Sequence, residues 1–234
     1  MRTLGLIHGM SPVSTVDLYE GVNARVNEVL GGNGSADMLL ASVDFANVDH
    51  WVQAGAWDEL RAYLVDKAVS LAAAGADFLA IGSNTGHIAA DAIGGAVDLP
   101  LLHVGDVVAE EAAARGARTL GLLGTSVVTE LPFYRNRLES HGLAVLTPSA
   151  DDRAFAHRIV FGELSHGVFT DESRSELIRI MRGLIDAGAE LIVLGCTEYG
   201  LLVADTDAPD IPRLDTNEVF MDAVSRAILE EPAR

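Results

Sequence analysis

The chain repeats itself, and that restricts its fold more than any other feature. Residues 74–87 read AGADFLAIGSNTGH and residues 187–200 read AGAELIVLGCTEYG, so one strand-and-turn occurs twice and Ser83 falls opposite Cys196. RTLGLIHGMS from Arg2 is matched by RTLGLLGTSV from Arg118, and DLPLLHVGD from Asp98 by DIPRLDTNE from Asp210, at nearly the same spacing. A duplication of this kind predicts two similar αβ halves packed about an approximate two-fold axis, with equivalent strand ends facing each other across a cleft. Such a cleft puts one reactive side chain on each face of a small ligand. Here the pair is a serine and a thiol.

Short apolar runs alternate with longer helical patterns. Thr3 to Ile7, Met38 to Val43, Phe78 to Ile81, Leu101 to Val104, Thr119 to Leu123, Ala144 to Leu146 and Leu191 to Leu194 read as strands. Thr15 to Leu30, Trp57 to Ala74, Val107 to Arg115, Glu130 to His141, Asp152 to Ser165, Ser173 to Ala187 and Thr216 to Leu229 read as helices. This alternation predicts an α/β fold of two pseudo-symmetric halves with mainly parallel sheets and an active site in the cleft between them. The third repeat closes each half. It divides the chain into a first half, 1–98, joined by the C-terminal helical segment 213–234, and a second half, 99–212.

Composition narrows the partners. With 34 acidic against 16 basic side chains, a formal charge of −18 disfavours nucleic acid and anionic membrane surfaces. A small anion remains compatible, because a few oriented amides outweigh a diffuse surface charge locally. The single cysteine forms no internal disulfide, which fits a reducing compartment and a cytoplasmic location. The first residues lack a signal-peptide pattern, and no run reaches the ~18 to 20 apolar residues that span a bilayer. No metal-ligand pattern and no cofactor motif stands out. The oligomeric state stays open, a homodimer included.

Every candidate chemical group follows a strand: His8 to Ser11, Ser83 to Thr85, Thr125 with Ser126, and Cys196 to Glu198. Strand C-terminal ends are where parallel αβ sheets bind ligands. Helices start within a few residues, so their free N–H groups and positive dipole ends suit a carboxylate and are expected to lower the pKa of Cys196 below the ~8.5 of a free thiol. The plainer alternatives are a core cysteine, and hydroxyl residues such as Thr125 and Ser14 that only cap helices. Repeats that converge on the same strand ends favour function over these.

At these residues the chain resembles the aspartate/glutamate racemase family, from Leu4 to about Asp215. The family's Gly-Gly-Met-Ser turn stands here as His8-Gly9-Met10-Ser11, its Cys-Asn-Thr-x-His motif as Ser83-Asn84-Thr85-Gly86-His87, and its Gly-Cys-Thr-Glu as Gly195 to Glu198. The resemblance implies cofactor-independent proton exchange at a carbon next to a carboxylate, with Cys196 on one face and Ser83 on the other. It makes a small carboxylate-bearing molecule the partner, aspartate or glutamate the default substrate, and Asn84, Thr85, Thr125, Thr197, His8 and the amides of Met10 and Ser11 the binding groups.

The departures are specific. Ser83 replaces the first cysteine, and a hydroxyl is a far poorer base than a thiolate, so the two directions should be unequal. Gly86 and Pro12-Val13 replace bulky residues, which predicts a widened pocket. His8 stands where the family usually has glycine, as a proton donor, a carboxylate partner or a turn cap. His166 falls where some relatives bring a lysine to the side-chain carboxylate. Asp44 and Glu198 read as residues that fix the turns after their strands. Two other functions compete: a one-cysteine decarboxylase or isomerase of a malonate-like or other dicarboxylic acid, and a catalytically silent carboxylate-binding protein.

Overall fold

In the computed structural model, which describes residues 1–231, each copy of the repeat builds a four-stranded sheet of parallel strand pairs. The chain forms two compact units. One contains Met1–His103 and the chain from Phe220 onward; the other is Val104–Val219. The expected class, two αβ halves on parallel sheets, is the one observed. Residues 232–234 of the anticipated C-terminal segment lie outside the described residues.

The first unit runs β1 (Leu4–His8), α1 (Pro12–Leu30), β2 (Met38–Ser42), α2 (Phe45–Ala54), α3 (Trp57–Ala73), β3 (Phe78–Ile81), a 3₁₀ turn (Thr85–Ala89), α4 (Ala90–Ala96) and β4 (Leu101–Leu102), in the sheet order β2-β1-β3-β4. β1 and β3 are buried along their whole length, as central strands covered on both faces must be. The turn after β1 requires Gly9, whose φ of 105° suits glycine and whose missing Cβ would lie 2.8 Å from the Val43 backbone.

The second unit repeats the plan: α5 (Val104–Ala114), β5 (Thr119–Gly124), α6 (Ser126–Glu130), α7 (Pro132–Ser140), β6 (Ala144–Leu146), α8 (Ala150–Gly162), a 3₁₀ turn (Leu164–His166), α9 (Asp171–Asp186), β7 (Leu191–Gly195), α10 (Thr197–Leu202) and β8 (Arg213–Asp215), with sheet order β6-β5-β7-β8. Its core joins Leu123, Ile192 and Leu194 of the sheet to Ile159, Leu177, Ile180 and Leu184 of the helices. Each such side chain contributes about 1.5–3 kcal/mol by leaving water. The last helix, α11 (Thr216–Leu229), begins in this unit. From Phe220 it packs with the first, where the Arg2 amide donates to Ile228 O at 2.8 Å and Met221 rests on the bare face of Gly21.

Three local expectations are corrected. The helix expected from Glu130 begins at Pro132, with Glu130 ending the preceding α6, because Pro132 forces Leu131 into an extended conformation, φ −80° and ψ 145°. α1 starts at Pro12, whose fixed φ favours a first-turn position, so the cap is Ser11 rather than Ser14. The helix expected to reach Ser165 ends at Gly162 and gives way to the 3₁₀ turn.

Candidate active site

Strand register brings the candidates together within each unit. In the first, Ile7 pairs with Ile81, so His8 and Gly82 are the next neighbours, followed by Gly9 and Ser83. In the second, Gly124 pairs with Gly195, so Thr125 and Cys196 come next. Ser83 and Cys196 therefore occupy equivalent places, just past the third strand of equivalent sheets.

In the first unit Ser83 is half-buried, and its carbonyl accepts a hydrogen bond from His87 Nδ1 at 2.8 Å. A carbonyl only accepts, so Nδ1 must carry the proton, and His87 fixes the backbone at Ser83. Its ring meets those of His103, at 4.5 Å, and Phe220. Asn84 and His87 are buried, and Thr85 opens the 3₁₀ turn. Ser11 is the α1 N-cap; its Oγ accepts from the Ser14 amide at a long 3.4 Å. Met10 is buried against Gly86.

That last contact overturns the expectation of a widened pocket. A Cβ on Gly86 would lie 2.6 Å from Ile81 Cγ2 and 2.9 Å from Met10 Cε, so the space is already filled from within the unit. Pro12 is exposed as the first residue of α1. His166 is exposed in its 3₁₀ turn.

His8 is wholly buried, and burial drops its pKa to about 3, so it is neutral near pH 7 and is not an imidazolium acid. The Gly9 amide donates to its Nδ1 at 2.9 Å, with Thr15 Oγ1 at 3.0 Å from the same nitrogen. The same Gly9 amide reaches Thr15 Oγ1 at 3.1 Å, and that hydroxyl donates to Ser11 O at 2.6 Å, which ties the ring into the turn after β1.

In the second unit Cys196 has 7% of its surface exposed and an extended backbone, φ −138° and ψ 128°. Its Sγ donates to Glu198 Oε2 at 3.1 Å, and Thr197 Oγ1 donates to the same oxygen at 2.8 Å. Burial, and then the Glu198 carboxylate, push the thiol well above its ordinary value. This reverses the expected direction: α10 is one short helix, and its N-terminus does not offset desolvation next to an anion. Glu198, read from the sequence as a turn residue, accepts a hydrogen bond from the cysteine. Its position two residues after Cys196, at the start of a helix, was the available signal. Asp44 does fix its turn, accepting from the Ala46 amide at 3.0 Å.

Thr125 is buried at the N-cap position of α6 without a side-chain capping bond, so capping does not explain it. Its carbonyl accepts from Thr129 Oγ1 at 3.0 Å. A cavity of about 410 Å³ elsewhere in this unit is lined by Arg115, Arg213 and Asp215. Arg213 is committed to the Ala204 and Ala208 carbonyls and to Asp205, so the cavity offers that guanidinium to no ligand. Among the described residues no group of three or more His, Cys, Asp or Glu could hold a metal ion, and no helix is long and apolar enough to cross a membrane.

Two αβ units, each on its own parallel sheet, with a thiol and a hydroxyl at equivalent strand ends, define the fold class of the chain. Residues 7–224 match the Asp/Glu/Hydantoin racemase family, and the chain belongs to that family. It is an isomerase, with the amino-acid racemase activity of the family. The chain is similar to the broad specificity amino-acid racemase RacX of Bacillus subtilis (strain 168), with 25% identity over 223 residues, 92% of either chain. Among solved structures it is similar to a Yersinia pestis protein provisionally named an Asp/Glu racemase, at 39% identity and TM-score 0.89, covering 98% of this chain and 100% of that one. An aspartate racemase homologue from Pyrococcus horikoshii OT3 is similar at 29% identity and TM-score 0.82, with the same coverage.

Proposed function

We propose that the protein interconverts the enantiomers of an amino acid, with Cys196 exchanging the α-proton on one face and Ser83 on the other. The observation that carries this reading is their equivalence, each just beyond the third strand of its sheet. Aspartate and glutamate are the default substrates.

Catalysis starts from a neutral thiol. Glu198 accepts the Cys196 proton along the existing 3.1 Å contact, the thiolate removes the α-proton, and the electron pair of the broken C–H bond spreads into the carboxylate. A proton then returns from the Ser83 side. The hydroxyl works as a relay, giving its proton to the α-carbon as it takes another from solvent, because a free alkoxide is too basic to persist near neutral pH, and Glu198 then releases its proton to solvent so that the neutral thiol is restored. Asn84, Thr85, Thr125, Thr197 and the amides of Met10 and Ser11 supply the hydrogen bonds that hold the dianionic carbanion.

A charge argument favours an amino acid over a dicarboxylate. The Cys196 thiol lies beside a carboxylate in a buried site, and a second acidic group, Asp215, also pushes it up. The α-ammonium of an amino acid brings the positive charge that lowers the thiol, whereas a malonate-like substrate brings more negative charge.

The test is Ser83→Cys. Restoring a thiol should speed solvent exchange from the slower enantiomer of aspartate or glutamate by about 10- to 100-fold, within general acid–base magnitudes. No gain from either enantiomer would remove Ser83 from the mechanism.

A further inference from the structure

The duplication supplies an internal comparison of the two proton carriers. Residues 74–87 align with 187–200, so Ser83 corresponds to Cys196, Gly86 to Tyr199 and His87 to Gly200. In the second unit the main chain alone closes the turn after β7, where the Tyr199 amide donates to the Cys196 carbonyl at 3.1 Å. The space a side chain on Gly200 would enter is taken by the Asp215 carboxylate. In the first unit His87 stands at that place, and its Nδ1 donates to the Ser83 carbonyl at 2.8 Å. The Gly86 amide, the counterpart of the Tyr199 amide, donates instead to Ser83 Oγ at a long 3.4 Å.

This exchange of partners changes what the hydroxyl can do. A hydroxyl oxygen that accepts from an amide keeps its own proton for another acceptor. Among the described residues the hydrogen-bond partner of Ser83 Oγ is that amide, and Ser83 is half-buried, so its proton is left for solvent or a molecule at the strand end. An N–H on the oxygen also favours the negative charge that develops as the proton departs. His87 is buried, with its ring 4.5 Å from that of His103 and 6.2 Å from that of Phe220, and this packing holds it against the carbonyl.

Resting on the racemase reading, we propose that His87 is a positioning residue for Ser83: by occupying the Ser83 carbonyl it releases the Gly86 amide to the hydroxyl oxygen, and so makes Ser83 a proton donor to the α-carbon. In that step the Oγ–H bond breaks, the carbanion's electron pair forms the new C–H bond, and Oγ takes a replacement proton from solvent. The Gly86 amide bears on the oxygen while it is electron-rich, which is when a hydrogen bond to it is strongest. His87 touches no reacting atom. It acts through the turn, and a serine too weak to compete with a thiolate as a base is thereby suited to the donating half of the exchange.

The experiment compares wild type, His87→Asn, His87→Gln and His87→Leu. Asparagine carries its amide nitrogen where Nδ1 lies and keeps the donor, glutamine carries it at the place of Nε2, and leucine has none. In D2O, with both enantiomers of aspartate and of glutamate, two rates are read: washout of the α-proton and conversion to the opposite enantiomer. In His87→Leu conversion should fall about 10-fold or more, while the enantiomer whose hydrogen meets Cys196 keeps its washout with retained configuration, because Cys196 returns the deuteron itself. His87→Gln should behave like His87→Leu, and His87→Asn should restore conversion. A general defect of folding lowers both rates together. An unchanged ratio of conversion to washout in His87→Leu and His87→Gln overturns the role of His87 and leaves the racemase reading standing. A wild type that exchanges neither amino acid overturns the racemase reading, and the crystal structure of His87→Leu then decides the positioning separately: the Gly86 amide should turn to the Ser83 carbonyl, as the Tyr199 amide does to Cys196, and an amide that stays on Oγ overturns it. If His87→Leu fails to fold, His87→Gln takes its place in both measurements.

Discussion

The sulfur of Cys196 lies 3.1 Å from Glu198 Oε2, and the hydroxyl of Thr197 lies 2.8 Å from the same oxygen. One carboxylate oxygen thus collects two donors in a buried pocket. The arrangement gives Glu198 two opposed effects: its charge raises the thiol pKa, and its lone pair is the nearest place for the thiol proton to go.

Glu198→Gln separates these effects. Removing the charge lowers the thiol pKa, so iodoacetamide should alkylate Cys196 faster at neutral pH. Removing the proton acceptor should reduce racemisation by about 10²-fold or more. Both rates are measured on the same preparation against pH. A variant that is both more reactive and more active would show that Glu198 only restrains the cysteine.

The packing of the His8 ring directly against Gly82 predicts strong coupling. Gly82→Ala drives a methyl into the imidazole and should destabilise the protein by about 1–3 kcal/mol, the usual cost of overpacking. His8→Gly frees that space, so the double variant should lose less than the sum of the two single losses. Urea unfolding of all four proteins measures the coupling energy, and strict additivity would contradict the contact.

Tyr134 in α7 is fully buried and its hydroxyl has no hydrogen-bond partner. Tyr134→Phe removes that unsatisfied group and should stabilise the fold by about 1 kcal/mol at pH 7. Burial raises the tyrosine pKa in the folded state. The folded protein thus keeps its proton where the unfolded chain, ionising near ~10, gives it up. That contribution is fully present below ~10 and is lost as pH rises toward the folded value, so the variant should lose stability less steeply in alkali.

The sequence was most legible where physics is periodic or repeated. The apolar runs at β1, β3, β5 and β7 and the duplicated strand ends of Ser83 and Cys196 were readable because alternation and repetition are properties of the chain itself. Side-chain folding was not. Gly86 suggested empty space, yet Met10, distant from it in sequence, turns into it with Ile81. Cys196 was expected to be acidified by a helix end, but desolvation and Glu198 dominate, and both depend on tertiary burial. His8 was visible as an oddity, while its neutral state followed only from its complete burial.

The central claim is that Cys196 is the thiol that exchanges the α-proton. Its most direct test is deuterium incorporation at the α-carbon of L- and D-aspartate and glutamate in D2O, by wild type and by Cys196→Ala, with circular dichroism to check the fold. The account predicts exchange by the wild type, at rates that differ between enantiomers of one amino acid, and its loss in a folded Cys196→Ala. Near-normal exchange in that variant would contradict it.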